Sequence, residues 1–305
     1  MPGIPSSLLS LVLLVPPASP RGATGPEPPE YVRAFHRGDY ARASALAAER
    51  LKAQPADTQA RIVLARAEAA AGRFEAAYAG FREAVALDPR SVDALYYLGV
   101  TAGALAQSEY ERLLALAPGS ARAHQLLGQS YGAQGRTAEA EAELEAALAA
   151  GPPTAEVLVA LGDLRRSRLD FVEARADYSR AIGLAPDSYD ALYGIGACDS
   201  YAGDHASAIG FFRRALRRAP DSAPARLALG ISLLQKGDAA AAVTELEQAA
   251  RLEPRMRQAY YQLGRAYQSL GRSREAEAAF ARVQELIRLE RKADEAPLED
   301  GPAHR

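Results

Sequence analysis

Small and bulky apolar residues recur along the chain with a fixed period. A Leu or Ile followed by Gly returns at Leu98–Gly99, Leu127–Gly128, Leu161–Gly162, Ile195–Gly196, Leu229–Gly230 and Leu263–Gly264. From Gly128 onward the spacing is 34 residues each time. An Ala follows each pair, then a bulky residue four positions on, then a second small residue and a closing Pro. A regular period of this length indicates an array of identical structural units.

The spacing within one unit predicts two helices joined by a tight turn. Leu192 and Ile195 lie three residues apart, and Ala208 and Phe212 lie four apart, so each pair occupies one face of a helix. Gly203 lies between the two stretches, as is typical where a helix ends in a left-handed residue. The Gly and Ala columns let the two helices approach closely, and we therefore expect Gly196→Leu to force the hairpin apart.

These columns resemble the tetratricopeptide repeat family, a 34-residue helix-turn-helix repeat. The resemblance implies an all-α fold, a right-handed superhelical solenoid of about eight repeats over residues 26–291. The units would be 27–57, 58–91, 92–120, 121–154, 155–188, 189–222, 223–256 and 257–291. Pentatricopeptide repeats, which read RNA, have a similar length, but the column residues and the near-neutral charge argue against them.

The third unit, residues 92–120, is shorter than the others. The step from Gly99 to Gly128 is 29 residues, so five residues are missing between Gly99 and Ala106. We expect its first helix to end near Gly103 and its second to begin near Ala106. The first unit is also atypical, since Ala47 replaces the bulky residue, as is common for the terminal unit of a solenoid.

The two ends of the chain lack the repeat. Residues 1–25 hold an apolar run, Leu8 to Val15, which is too short to cross a membrane and is interpreted either as a signal peptide or as a disordered leader. Export and a cytoplasmic location both stay open. Residues 292–305 are charged, contain Pro and show no apolar period, and are predicted to form a disordered tail.

Composition excludes several classes of function. The net charge is −2, so neither nucleic acid nor an anionic membrane is expected as a partner. The single cysteine, Cys198, cannot form an internal disulfide, and the four histidines are scattered among different units or the tail. We expect no metal and no cofactor. His124 replaces an apolar residue of the repeat and is interpreted as a packing residue, and the acidic run Glu139–Glu145 as solvated surface.

The first helices of a solenoid line its inner face, which is the predicted binding surface. An α-helix turns by 100° per residue, which identifies the residues of each first helix that point away from the Leu–Gly seam. These residues are mainly tyrosine, glutamine and aliphatic, a composition suited to recognition. The candidate binding residues are Tyr96, Tyr97, Val100, Gln125, Gln129, Asp163, Tyr193, Tyr201, Ile231, Tyr261 and Arg265.

The resemblance implies a non-catalytic scaffold that holds a peptide or protein segment on its concave face. A subgroup of the family binds acidic carboxyl-terminal peptides through Lys, Arg and Asn, but this chain contains no Asn and only three Lys. An apolar segment of a partner protein is therefore the better prediction. The alternative is an accessory or specificity subunit of an enzyme, or an enzyme whose site is built from scattered residues such as Asp163, Asp199 and Arg265.

Overall fold

The computed structural model describes residues 27–295, with side chains up to Arg291. Over that range the chain forms helices and no strand. In chain order the helices of the described range are α1 Glu30–His36, α2 Tyr40–Ala53, α3 Thr58–Ala70, α4 Phe74–Leu87, α5 Val92–Leu116, α6 Ala121–Ala133, α7 Thr137–Ala150, α8 Ala155–Ser167, α9 Phe171–Leu184, α10 Tyr189–Tyr201, α11 His205–Arg218, α12 Ala223–Gln235, α13 Ala239–Leu252, α14 Arg257–Ser269 and α15 Ser273–Glu295. The all-α repeat fold predicted from the period is confirmed.

The chain divides between Pro118 and Gly119 into two compact units. The first holds α1–α5 and the second α6–α15. In each unit a first helix packs against the second helix of its own hairpin, except for α5, which has none, and successive first helices also contact one another. Where a hairpin precedes it in the same unit, a first helix also packs against the second helix of that hairpin. The first helices are α1, α3, α5, α6, α8, α10, α12 and α14. The single solenoid over residues 26–291 stays a prediction.

Short polar residues begin most of the first helices. Ser91, Ser120, Ser188 and Ser222 each follow a Pro by two residues, and each accepts a hydrogen bond from the backbone N–H three positions on. Such a cap satisfies one of the N–H groups that the first turn of a helix leaves unpaired. In these repeats the proline therefore follows the end of one hairpin, and the serine two residues later caps the first helix of the next.

Three residues join the two helices of each hairpin in the second unit. The backbone of the middle residue turns left-handed, at Gly135, Gly203, Gly237 and Gly271. Leu169 occupies the same position with φ 68° and is the one residue other than glycine with a positive φ in the described range. A left-handed residue lets the chain leave the helix and reverse.

The third repeat does not contain the hairpin that the sequence predicts. Helix α5 runs unbroken from Val92 to Leu116, so the expected break between Gly103 and Ala106 is wrong. Reversal elsewhere needs three residues outside the helices, and the five missing residues leave only two between these positions. Without residues for the turn, the backbone continues its helical hydrogen bonds.

Close packing of glycine against a bulky residue holds each hairpin of the second unit together. A Cβ added to Gly196 would lie 2.8 Å from the Phe212 ring, and one added to Gly128 would lie 2.7 Å from Leu144. The same relation joins Gly162 to Tyr178, Gly230 to Leu246 and Gly264 to Phe280. The helices thus cross at distances that exclude any side chain at these glycines.

The ends of the chain fall largely outside the described residues. The apolar run Leu8–Val15, interpreted as a signal peptide or a leader, lies there entirely. At the other end, α15 continues to Glu295, past residue 292 where the tail is predicted to begin. Residues 296–305 lie outside the described range.

Candidate functional site

The predicted binding residues of the second unit belong mainly to its first helices. Helices α6, α8, α10, α12 and α14 form one layer in which each contacts the next, and the second helices pack against this layer. We select six exposed or half-buried residues of this layer and refer to them together as the first-helix face: Asp163, Arg166, Tyr193, Ile231, Tyr261 and Arg265.

A polar cluster lies at the α8 end of the first-helix face. The hydroxyl of Tyr178, a residue of α9, donates a hydrogen bond to Asp163 Oδ1 at 2.7 Å and accepts one from Arg166 Nε at 3.2 Å. Arg166 Nη2 also donates to Asp163 at 3.2 Å. Burial of the ring, followed by the hydrogen bond to Asp163, raises the pKa of Tyr178 well above its usual range. The hydroxyl therefore stays a neutral donor that orients the carboxylate.

Two glycines let the Tyr178 ring reach this cluster. A Cβ added to Gly162 of α8 would lie 2.6 Å from the ring, and one added to Gly194 of α10 would lie 2.5 Å from it. Tyr178 is fully buried between these two first helices. The column of bulky residues that contains Tyr178 predicts packing alone, so neither the Tyr178 hydroxyl nor Arg166 is among the residues predicted for the site. The signal was the phenol at a position where other repeats carry Phe or Leu.

Tyr193 supplies a half-buried aromatic surface next to the polar cluster. Its ring stacks on Tyr189 with centroids 6.0 Å apart and packs at an angle on Phe212 at 5.6 Å. Burial and then Tyr189 raise the pKa of Tyr193, and the positive charge of Arg166 opposes them. Tyr193 is thus both a core residue and part of the first-helix face.

The far end of the first-helix face is apolar with one charged edge. Ile231 on α12 packs on the hydrophobic core, and Tyr261 on α14 is 49% exposed with its ring 6.0 Å from Phe280. Arg265, one turn beyond Tyr261, is exposed and donates a hydrogen bond to Gln262 at 3.3 Å. A ligand here would meet two apolar side chains and one cation.

The remaining candidates of the second unit also lie on first helices, at α6 and at the end of α10. Tyr201, at the end of α10, stacks on Phe171 with centroids 3.6 Å apart. Gln125 accepts a hydrogen bond from Arg122 at 2.7 Å and lines a pocket of about 200 Å³ with Pro152. Gln129 is exposed on α6.

The candidates of the first unit lie on α5, and one of them is not a surface residue. Tyr96 is 52% exposed, whereas Tyr97 is 5% exposed and stacks on Phe81 with centroids 5.6 Å apart. Val100 is half-buried against the same core. Placing Tyr97 on the binding face is therefore wrong. Tyr97 packs on Phe81 of the preceding second helix, as Gly194, its equivalent in a regular repeat, packs on Tyr178.

His124 pairs with a carboxylate, but the pair has a structural equivalent. His124 Nδ1 lies 2.7 Å from Glu143 Oε2, across the α6–α7 hairpin. Three repeats later Arg226 makes an ion pair of 2.8 Å with Glu245 in the same register. Because two hairpins place a nitrogen-bearing side chain opposite a carboxylate at these positions, the pair is explained as a contact that joins the two helices of the hairpin.

The acidic run of α7 is solvated surface only in part, because Glu139 and Glu145 are exposed whereas Glu141 and Glu143 are half-buried in ion pairs. Arg165 on α8 donates to Glu141 at 2.9 Å and to Glu145 at 2.6 Å. The same guanidinium reaches Asp177 on α9 at 2.6 Å, and Asp177 is buried. Arg165 therefore joins three consecutive helices through charge-assisted hydrogen bonds.

The scattered residues considered for an enzymatic site each have partners of their own. Asp163 bonds to Tyr178, whereas Asp199 is buried and accepts from Ser207 Oγ at 2.5 Å, and Arg265 bonds to Gln262. Burial raises the pKa of Cys198 to about 11, so its thiol stays protonated. Within residues 27–295 no group of His, Cys, Asp and Glu is arranged to hold a metal ion.

A helix that crosses a membrane must be both long and apolar. Among the residues that the structure describes, none of the helices combines enough length with enough apolar character to span a membrane.

The chain is similar to several solved structures of one kind. It is 23% identical to a structure described as MamA, over 54% of this chain and 97% of that one, with a TM-score of 0.51. A second MamA protein structure has 23% identity, coverage of 60% and 98%, and a TM-score of 0.52. MamA 41-end from Desulfovibrio magneticus RS-1 has 21% identity, coverage of 55% and 95%, and a TM-score of 0.52. Likeness at this identity shows the fold.

Models of protein families identify the repeat directly. One tetratricopeptide repeat model matches residues 33–91, 159–223 and 227–294, and a second matches residues 101–164 and 201–251. No curated protein sequence matches the chain. Proteins built on this repeat are scaffolds for protein–protein interaction and are typically not enzymes. The chain belongs to the tetratricopeptide repeat family.

Proposed function

We propose that the chain is a non-catalytic adaptor that binds an apolar segment of a partner protein on the first-helix face of its second unit. One observation carries the proposal: Tyr193, Ile231 and Tyr261 present an apolar strip across three successive first helices. The charged pair Asp163–Arg166 lies at one end of the strip and Arg265 at the other.

The dimensions of the strip define the ligand. Neighbouring helices pack about 8–10 Å apart, so α8 to α14 span about 30 Å. An extended peptide rises about 3.3 Å per residue and would cover the strip with about nine residues. Tyrosine offers such a ligand a rigid apolar body and a hydroxyl that can bond to its backbone. Charged residues at the two ends would fix its direction.

The test uses the full chain and an array of random 15-residue peptides. We expect the parent to select peptides rich in apolar residues, and the double variant Tyr193→Ala, Tyr261→Ala to bind them at least about tenfold more weakly. The matched control removes two exposed apolar side chains from second helices, Leu184→Ala and Leu252→Ala, and should bind like the parent. Circular dichroism verifies that all three proteins are folded.

Two results would contradict the proposal. Equal binding by the parent and the tyrosine variant would mean that the strip is packing surface. Loss of binding in the leucine control would place the ligand on the second helices. Arg265→Ala tests whether charge orients the ligand. If it does, this variant should no longer prefer peptides with an acidic residue at one end.

A further inference from the structure

Helix α5 carries an apolar stripe along its full length that the rest of the first unit leaves exposed or half-buried. The stripe consists of Val92, Leu95, Gly99, Ala102, Gly103, Ala106, Tyr110 and Leu113. Counted at 100° per residue, all of them lie within about 60° of Gly99. Val92 is 78% exposed and Tyr110 is 46% exposed.

The opposite side of α5 is the one that packs. Ala94, Tyr97, Thr101 and Ala104 are buried, and they lie about 140–160° from Gly99. The charged residues Asp93, Glu109, Glu111 and Arg112 lie about 80° or more away from Gly99. The stripe is therefore a separate surface with no charged side chain in it.

The stripe contains both halves of a hairpin interface. In five hairpins of the second unit a first-helix glycine packs on a bulky residue of the second helix, as Gly196 does on Phe212. Gly99 and Tyr110 stand in the same two columns of the repeat. Because both now belong to one straight helix, they lie about 16 Å apart and cannot meet. A Cβ added to Gly99 would have nothing within 4 Å.

We propose that the occupant of this stripe is α5 of a second copy of the chain, packed antiparallel. With the two-fold axis between Ala104 and Leu105, Gly99 of each copy faces Tyr110 of the other, and both contacts form at once. Gly103 and Ala106 then meet near the axis, where small residues allow the helices to approach closely. Each copy receives from the other the hairpin contact that its own third repeat lacks.

The reciprocal order of the two columns selects a second copy over other partners. An antiparallel partner helix must place a bulky residue against Gly99 and a small residue against Tyr110. In the partner, these two residues must be eleven positions apart, with the small residue first in the sequence. Helix α5 itself meets this demand, and a two-fold dimer uses the same self-complementary patch on both subunits. One helix pair is a small interface, so the dissociation constant is expected in the micromolar range. The proposal does not depend on the first-helix face.

The test is sedimentation equilibrium of the full chain from about 1 to about 200 µM, a range centred on micromolar affinity. We expect reversible dimers whose dissociation constant rises at least about tenfold in Gly99→Leu and in Tyr110→Lys. Gly99→Leu fills a position that is open in the single chain and leaves its fold intact. The matched control is Leu184→Lys, an exposed residue of α9, which should dimerise like the parent.

A distance measurement tests the direction of the pairing. In a Cys198→Ser background, spin labels on Val92→Cys should lie about 38 Å apart in the dimer, since antiparallel helices place both copies of residue 92 at opposite ends. A parallel pair would bring them within about 10 Å. A chain that is monomeric up to the highest concentration, dimers that persist in both stripe variants, or a short Val92 distance would each overturn the proposal.

Discussion

The close crossing of α10 and α11 leads to a sharp prediction for Gly196→Leu. The Cβ alone would lie 2.8 Å and 2.9 Å from two carbons of the Phe212 ring. Phe212 is 1% exposed, so its ring has no free space into which it could move. The substitution must therefore spread the two helices or force both side chains out of their preferred rotamers.

The magnitude follows from two opposing effects. Overpacking a well-filled core costs about 1–3 kcal/mol, and a leucine that places four carbons against a fixed ring belongs at the upper end. Leucine also favours a helix over glycine by about 0.8 kcal/mol. The net loss should be on the order of 2 kcal/mol. Neighbouring repeats support one another, so the damage should extend beyond this hairpin.

The matched control lies in the same hairpin. Gly210 on α11 is exposed, and a Cβ there would have nothing within 4 Å. Gly210→Leu therefore gains helix propensity without overpacking and should stabilise the protein by about 0.5–1 kcal/mol. Urea unfolding followed by circular dichroism should show midpoints that move in opposite directions. Equal midpoints for the two variants would refute the close-crossing argument.

Three further predictions follow from single residues. Leu169→Gly should stabilise the protein by about 1 kcal/mol, because glycine adopts a left-handed backbone without strain; a urea midpoint below that of the parent would contradict this. Burial and then the hydrogen bond to Glu247 raise the pKa of Tyr267 to about 12. The folded state therefore holds this proton more tightly than the unfolded state, and the free energy of unfolding should be unaffected by Tyr267 below pH 10 and decline as the pH rises toward 12. Tyr267→Phe should flatten that decline in thermal melts. Burial raises the pKa of the Cys198 thiol from 9.0 to about 11, so Ellman's reagent at pH 8 should react about a hundredfold faster after unfolding, and equal rates would show an accessible thiol.

The regular repeats could be predicted from the sequence in some detail. The Gly–Phe and Gly–Leu contacts seen at Gly196 and Gly230 follow from columns that recur every 34 residues. The left-handed turn at Gly203 follows from the same repeat pattern. These features depend on local geometry, and each is encoded by residues close to one another in the chain.

The structure of α5 could not be predicted from the columns. Its Leu98–Gly99, Ala106, Tyr110 and Pro118 all keep their places, so the pattern indicates a hairpin. Whether a helix ends depends on the residues between the columns, and too few remain there for a reversal. The burial of Tyr97 has a different cause, because it depends on contact with Phe81 of the preceding repeat, and the Leu–Gly seam within one hairpin does not show that contact.

The polar part of the first-helix face depends on contacts between helices. Asp163 and Tyr178 are fifteen residues apart and meet only because Gly162 and Gly194 admit the ring between α8 and α10. A column of bulky residues says nothing about where a hydroxyl at its tip will point. That information appears only when the spacing of adjacent repeats is known.

The caps that begin the first helices have a consequence for how this gene can change. Ser120 caps α6 without help from the preceding repeat, so α6 begins at Ala121 even though α5 is five residues shorter than a full hairpin would require. Each of these repeats supplies its own helix cap, so the structural effect of an in-frame deletion is confined to the repeat in which it occurs. Recombination can shorten, add or remove a repeat in such a gene without rewriting the others.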